Sequence, residues 1–305
     1  GFGETEAGQR HPYALNFDVL AHELGHSIIF SEVGVPNPST MTAEYRGFQE
    51  AASDLVALVA ALHFDTVVDR LLKKSKGNLY TLNEVNRIGE LSETEQVRTA
   101  SNMFRMSDVA DVTTPPDALS QHELHRLGEP LTGAIFDIFV EVYQDILLDA
   151  GLIDAELAAL SDGALQNAEH LTLVERRFAA AYQNRHDAFK ASLLQARDYL
   201  GILLANTWAR VPVHFLTFRD VSSALFASDS VIAGGRYSHI IRDSLAWREI
   251  SAPDIGEAPD PSSCQCAACK QSRSSDPRTR PHRRLPYSER WSLATRGQII
   301  LNERI

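Results

Sequence analysis

Apolar residues recur at the 3.6-residue period of an α-helix along most of the first 250 positions. Phe17, Leu20, Ala21, Leu24, Ile28 and Ile29 predict a helix over 16–30 with those side chains against the core and Asn16 or Asp18 as its cap. Gly34 and the pair Pro36 and Pro38 end it. A second row, Phe48, Ala51, Ala52, Leu55, Leu58 and Val59, predicts a helix capped by Thr42 that reaches residue 72, with a break near His63, Phe64 and Asp65. The cleanest row is Leu131, Ala134, Ile135, Ile138, Phe139, Val142, Ile146 and Leu147, with Pro130 at the first turn and Gly151 past the end. Further helices are predicted over 155–160, 165–182 and 186–208. Residues 1–15 are polar and read as loop, and 75–120 are polar and weakly periodic, with Met103 and Met106 as core residues at helical spacing.

After Ser251 the pattern stops. Six of the 13 prolines fall in 251–305, among many Ser and Arg, which predicts a linker or tail. Three segments follow: 1–115, 116–251 and a tail over 252–305. Of the 305 residues 44% are hydrophobic, enough for a sizeable core. No apolar run approaches the roughly 20 residues that span a bilayer, so no membrane span is expected. The net charge of −11 divides into +3 over 251–305 and −14 over the body. An acidic body argues against nucleic acid as a partner and sets a mild bias against acidic substrates. The tail holds all three cysteines, Cys264, Cys266 and Cys269. With His282 they could form a second metal site; the alternative is free or redox-active thiols, and an odd count excludes complete internal pairing.

Chemistry enters with His22-Glu23-Leu24-Gly25-His26 on the first predicted helix. Residues four apart lie on one helix face, so the two imidazoles can address one ion, a pairing that suits Zn²⁺. Glu23 falls on the adjoining edge, within reach of a water on that ion. On the second predicted helix stand Glu50 and, four residues on, Asp54. The 23 residues between His26 and Glu50 allow the chain to turn and return. Glu50 can then complete a His₂Glu set with one position open, and Asp54 can accept the free ring N–H of a ligand histidine.

This H-E-x-x-H followed by Gly47-Phe48-Gln49-Glu50-Ala51-Ala52-Ser53-Asp54 resembles the gluzincin metallopeptidases of the thermolysin-like and fungalysin-like group. The metzincin pattern fails, because Ile29 and Glu32 occupy its Gly and His positions. The resemblance implies an α+β zincin, predominantly α in this span: the active-site helices and a helical C-terminal lobe. The β-sheet lobe that precedes them in the family is mostly absent from these residues, so a fragment or processed form is expected. It further implies zinc held by His22, His26 and Glu50, Glu23 as general base, Asp54 behind a ligand histidine, and a polypeptide substrate. A second histidine that stabilises the oxyanion is implied just before a buried helix containing Gly133 and Ala134. His125 or His122 fits, with Asp117 or Glu123 to orient it. Tyr45 is a further candidate donor, and Arg210 or Arg219 a candidate for substrate carbonyls, against an alternative as helix-end charges. His170, His186, His214 and His239 lack metal spacing. The family implies a secreted or extracytoplasmic protein, while free cysteines leave the cytoplasm open. The competing function is a catalytically weak or inactive zinc-stabilised binding or scaffold module of the same fold. An aminopeptidase would want a Gly-x-Met-Glu-Asn type motif, which is not found.

Overall fold

The computed structural model describes residues 2–4, 10–12, 16–79, 87–88, 98–99, 102–162 and 168–252, and it is predominantly helical. Where loop is expected at the start, β1 (Phe2–Glu4) pairs antiparallel with β2 (Arg10–Pro12). Helix α1 (Phe17–Glu32) begins where Asn16 Oδ1 accepts the N–H groups of Asp18 and Val19. Helix α2 (Ala43–Ala61) begins where the Thr42 hydroxyl accepts the Tyr45 N–H at 2.9 Å. The predicted break at 63–65 separates it from α3 (Asp65–Ser75). A second short ladder pairs β3 (Arg87–Ile88) with β4 (Arg98–Thr99). Residues 102–120 then run through two 3-10 turns, Met106–Asp108 and Pro116–Ala118, to α4 (Gln121–Asp149). The rest is α5 (Ala155–Asp162), α6 (Ala168–Tyr182), α7 (His186–Trp208), α8 (Phe218–Ala233) and α9 (Ser238–Trp247). Among the described residues no helix is long and apolar enough to cross a membrane.

One cluster of buried apolar side chains runs from Ala21 on α1 to Ile250 beyond α9, drawing on both sides of residue 115. Helix α4 is its axis, with Phe136, Phe139, Val140 and Val142 at 1% exposure or less. Helices α2, α7 and α9 pack around it.

Three expectations change. Helix α4 starts at Gln121, not near Pro130, because Ser120 and Glu123 close a capping box: the Ser120 N–H donates to Glu123 Oε2 at 2.8 Å, and Ser120 Oγ accepts the Glu123 N–H at 3.2 Å. Pro130 is therefore interior, where it has no N–H to offer the Arg126 carbonyl. Helix α1 buries part of its predicted face: Ala21 and Ile29 are in the core as expected, but Phe17, Leu20 and Leu24 are 42%, 49% and 59% exposed, and His22 and Gly25 are buried instead. Met103 is exposed, while Met106, partly buried against the core as expected, opens a 3-10 turn, so the two share no helical row.

The segment after residue 101 is tied to the body by several side chains, Asn102 to Glu129 and Ser107 to Glu249 among them, and most deeply by one. Arg248, fully buried at the end of α9, donates to Asn102 Oδ1 and the Phe104 carbonyl at 2.8 Å, to the Asn102 carbonyl at 2.7 Å and to Asp137 Oδ2 at 3.1 Å. Burial disfavours its charge, and Asp137 on α4 offsets this. Gly133 makes room for it, since a Cβ there would stand 2.5 Å from the guanidinium carbon. The Arg248 carbonyl also accepts the Met106 N–H at 3.1 Å.

Candidate metal centre

Helices α1, α2 and α4 meet at the places where a side chain is missing. A Cβ on Gly25 would lie 2.7 Å from Ser53 Cα, so α1 rests directly on the α2 backbone. A Cβ on Gly128 would lie 2.6 Å from the Gly47 carbonyl oxygen, so α4 rests on α2 equally closely. Ordinary carbon contacts are about 3.5–4.0 Å, and larger residues at these points would hold the three backbones apart.

The close approach brings the predicted ligands together. One ligand atom each from His22, His26 and Glu50 lies within 4.8 Å of the others. His22 Nε2 is 3.5 Å from Glu50 Oε2, and His26 Nε2 is 3.8 Å from Glu50 Oε1. The two imidazoles stand edge to face, ring centroids 4.7 Å apart. His22, at 5% exposure, and the half-buried Glu50 and His26 lie on the inner side of α1 and α2, while Glu23 is exposed on the adjoining edge.

The other ring nitrogens are held from α2. His22 Nδ1 sits 2.8 Å from Asp54 Oδ1, as the spacing predicts. His26 Nδ1 faces Gln49 Oε1 at 3.5 Å, the outer limit of a hydrogen bond. Gln49 is fixed in turn: its Nε2 donates to the Tyr45 hydroxyl at 2.9 Å, and that hydroxyl donates to the Gly34 carbonyl at 2.7 Å. Burial pushes the Tyr45 hydroxyl up, so it remains a donor. Tyr45 is thus a buried support for Gln49, with its proton already committed to Gly34.

These partners matter for the electrostatics. A carboxylate and an amide oxygen both favour the Nδ1–H form of their imidazole. Each Nε2 then presents a lone pair toward the Glu50 carboxylate, an arrangement of mutually repelling donors that a cation reconciles. Two imidazoles and one carboxylate are a borderline donor set that suits a first-row divalent ion, and the residues present fit such an ion.

Helix α4 brings His125 to the same carboxylate, with Nε2 at 3.4 Å from Glu50 Oε1 and the side chain 43% exposed. His122 lies three residues earlier on the exposed face. Glu123 closes the capping box, where the Ser120 hydroxyl and N–H both donate to its Oε2 and hold its carboxyl below the usual range. Arg210 and Arg219 are exposed, and Arg210, just past the end of α7, turns back to donate to the Asn206 carbonyl in its last turn at 2.7 Å, a helix-end role. His170, His186 and His214 bond elsewhere, to the Leu160 carbonyl, Asp69 and Thr40. The cysteines, Cys264, Cys266 and Cys269, lie outside the described residues. Sequence reasoning missed Gln49. Its only signal was adjacency to Glu50, about 100° round the helix toward α1.

No known protein family, curated protein or solved structure matches the chain.

Proposed function

We propose that the chain is a zinc-dependent peptidase of the gluzincin type, its helices being the active-site helices and helical lobe of an α+β zincin. The observation that carries the reading is the approach of His22, His26 and Glu50 to within 4.8 Å of one another, with both histidines backed from α2. A bound Zn²⁺ would polarise a scissile carbonyl and lower the pKa of a water toward ~7. His22, His26 and Glu50 hold the ion, and Asp54 and Gln49 orient the two rings. Glu23, exposed beside His22, takes the proton of the attacking water and passes it to the leaving amine. His125 donates to the oxygen that becomes negative as the tetrahedral intermediate forms. The substrate is a polypeptide laid across the α1, α2 and α4 junction.

One observation favours a second reading. His125 Nε2 lies 3.4 Å from Glu50 Oε1, so three imidazoles surround that carboxylate. His125 stands outside the group of ligand atoms within 4.8 Å of one another, but moved in as a fourth protein ligand it would close the coordination sphere, as in structural zinc sites, and make the chain a zinc-stabilised binding or scaffold module. The experiment measures zinc content, zinc affinity and peptide hydrolysis on wild type, Glu50→Ala, Glu23→Gln and His125→Ala. The peptidase reading expects one zinc lost with Glu50, hydrolysis abolished but zinc kept in Glu23→Gln, and kcat reduced on the order of 10²–10³ with zinc affinity unchanged in His125→Ala. A wild type that binds zinc without hydrolysing, and loses it in His125→Ala, establishes the module instead. A protein that binds no zinc refutes both.

A further inference from the structure

We propose that Arg46 selects a carboxylate on the substrate, held about two residues from the reacting bond. The inference rests on the peptidase reading and names the substrate class of that same site.

A cleft of about 740 Å³ opens between the first turns of α2, the first turns of α4 and the segment over 112–119. That volume is in the range of small-ligand and peptide side-chain pockets. Met41, Val112, Thr114, Gln121 and Leu124 contribute walls, and Arg46 is the one basic residue among those that line it. Arg46 is half-buried. Arg177, Arg197, Arg236 and Arg248 each hold a carboxylate, Arg126 and Arg185 turn to backbone carbonyls, and Arg105 lies over the Trp247 ring. Arg46 has no carboxylate in ion-pairing range among the described residues, and Asp117, the acidic residue of the lining, is exposed. A guanidinium drawn partly out of water keeps its charge and its planar fork of donors, which match a carboxylate in bidentate fashion.

Position links the cleft to the candidate metal centre. Arg46 is one turn before Glu50 on the same face of α2, and Gln121 one turn before His125 on the same face of α4. The helices that form both walls therefore run on from the cleft toward the ligand cluster. Four residues of helix rise about 6 Å. An extended peptide advances about 3.3 Å per residue, so two residues cover the distance. The body surrounding this cation carries −14, which repels anions in general. Arg46 thus discriminates by local pairing, against the field of the molecule. The carboxylate has two possible sources, an acidic side chain within the peptide or its C-terminal group.

The test uses the full chain loaded with zinc and carrying Glu23→Gln, so that peptides bind without turnover. Fluorescein-labelled decapeptide pools, random over uncharged residues, are fixed at one position as Glu or Gln, each with a free or an amidated C-terminus. Binding is read by fluorescence anisotropy. The expected result is at least tenfold tighter binding of carboxylate-bearing pools, abolished by Arg46→Gln and partly kept by Arg46→Lys. A preference for Glu over Gln identifies an internal acidic residue; a preference confined to the free terminus identifies the C-terminal group. Equal binding of all pools, or a preference that survives Arg46→Gln in a variant of normal zinc content, overturns the proposal. Hydrolysis of the same pools by the protein with Glu23 intact is read separately. No cleavage alongside Arg46-dependent binding would refute the peptidase reading and leave the carboxylate subsite standing.

Discussion

The contact of Gly25 with Ser53 makes the middle of the H-E-x-x-H motif a packing element as well as a spacer. Replacing Gly25 by Ala adds one methyl group 2.7 Å from Ser53 Cα, 3.1 Å from its Cβ and 3.2 Å from its carbonyl oxygen. The nearest atom is backbone, so the helices must separate by about 1 Å to reach an ordinary contact of about 3.5–4.0 Å. Two terms of opposite sign follow. Alanine in a helix interior gains about 1 kcal/mol over glycine. Overpacking costs about 1–3 kcal/mol. The net expectation is a loss of about 0–2 kcal/mol, where propensity alone would give a gain. The same separation pulls His22 away from Asp54, now at 2.8 Å, and zinc affinity should fall about 10–100-fold, as when a ligand loses its supporting carboxylate. Gly201→Ala is the control, because its methyl group would meet Val59 at 3.7 Å and should stabilise by about 0.5–1 kcal/mol. Urea unfolding gives the stabilities, and competition with a chromophoric chelator gives the affinities. Ser53→Gly should not rescue Gly25→Ala, since Ser53 Cα remains. The reasoning is refuted if Gly25→Ala matches Gly201→Ala in stability and binds zinc like wild type.

Asp54→Asn should lower zinc affinity about 10–100-fold with helix content unchanged, and Gln49→Ala should lower it less, in keeping with 2.8 Å against 3.5 Å; chelator competition on both variants checks the order, and a larger loss at Gln49 would contradict it. Ser120→Ala removes the cap of α4 and should cost about 1 kcal/mol in urea unfolding, while fraying the turn that carries His122 and His125. An unchanged midpoint would mean that the first turn of α4 contributes nothing to stability.

The helical period made much of this architecture legible. Helix α7 runs from His186 to Trp208 as the pattern predicts, and Asn16 and Thr42 cap as expected. His22, His26, Glu50 and Asp54 are brought together because each pair sits four apart on its helix. What failed, failed for identifiable reasons. On α1 the expected core side, Phe17, Leu20, Ala21, Leu24, Ile28 and Ile29, was too wide: Ala21 and Ile29 go inward, while the bulky Phe17, Leu20 and Leu24 give way to His22 and Gly25 because glycine lets the backbones touch. On α4, Pro130 outweighed Ser120-Gln121-His122-Glu123, although that tetrapeptide is a capping box in plain sequence. Arg248 and Asn102 stand 146 residues apart, and Arg46 owes its setting to a segment more than 60 residues downstream. No local rule reaches that far.

The Arg248 anchor also sets an order of assembly. A chain made from its N-terminus delivers the helices bearing His22, His26, Glu50 and His125 well before it delivers Arg248, and domains begin to fold as they emerge. The candidate ligands can gather while the 102–120 segment, which lends the cleft one wall, is held through Asn102 to Glu129 on α4 but still lacks its buried guanidinium. A nascent chain would thus be able to gather its candidate ligands first and complete the cleft beside them only when α9 is made, so that any ion the group takes could be held before the neighbouring surface has its final shape.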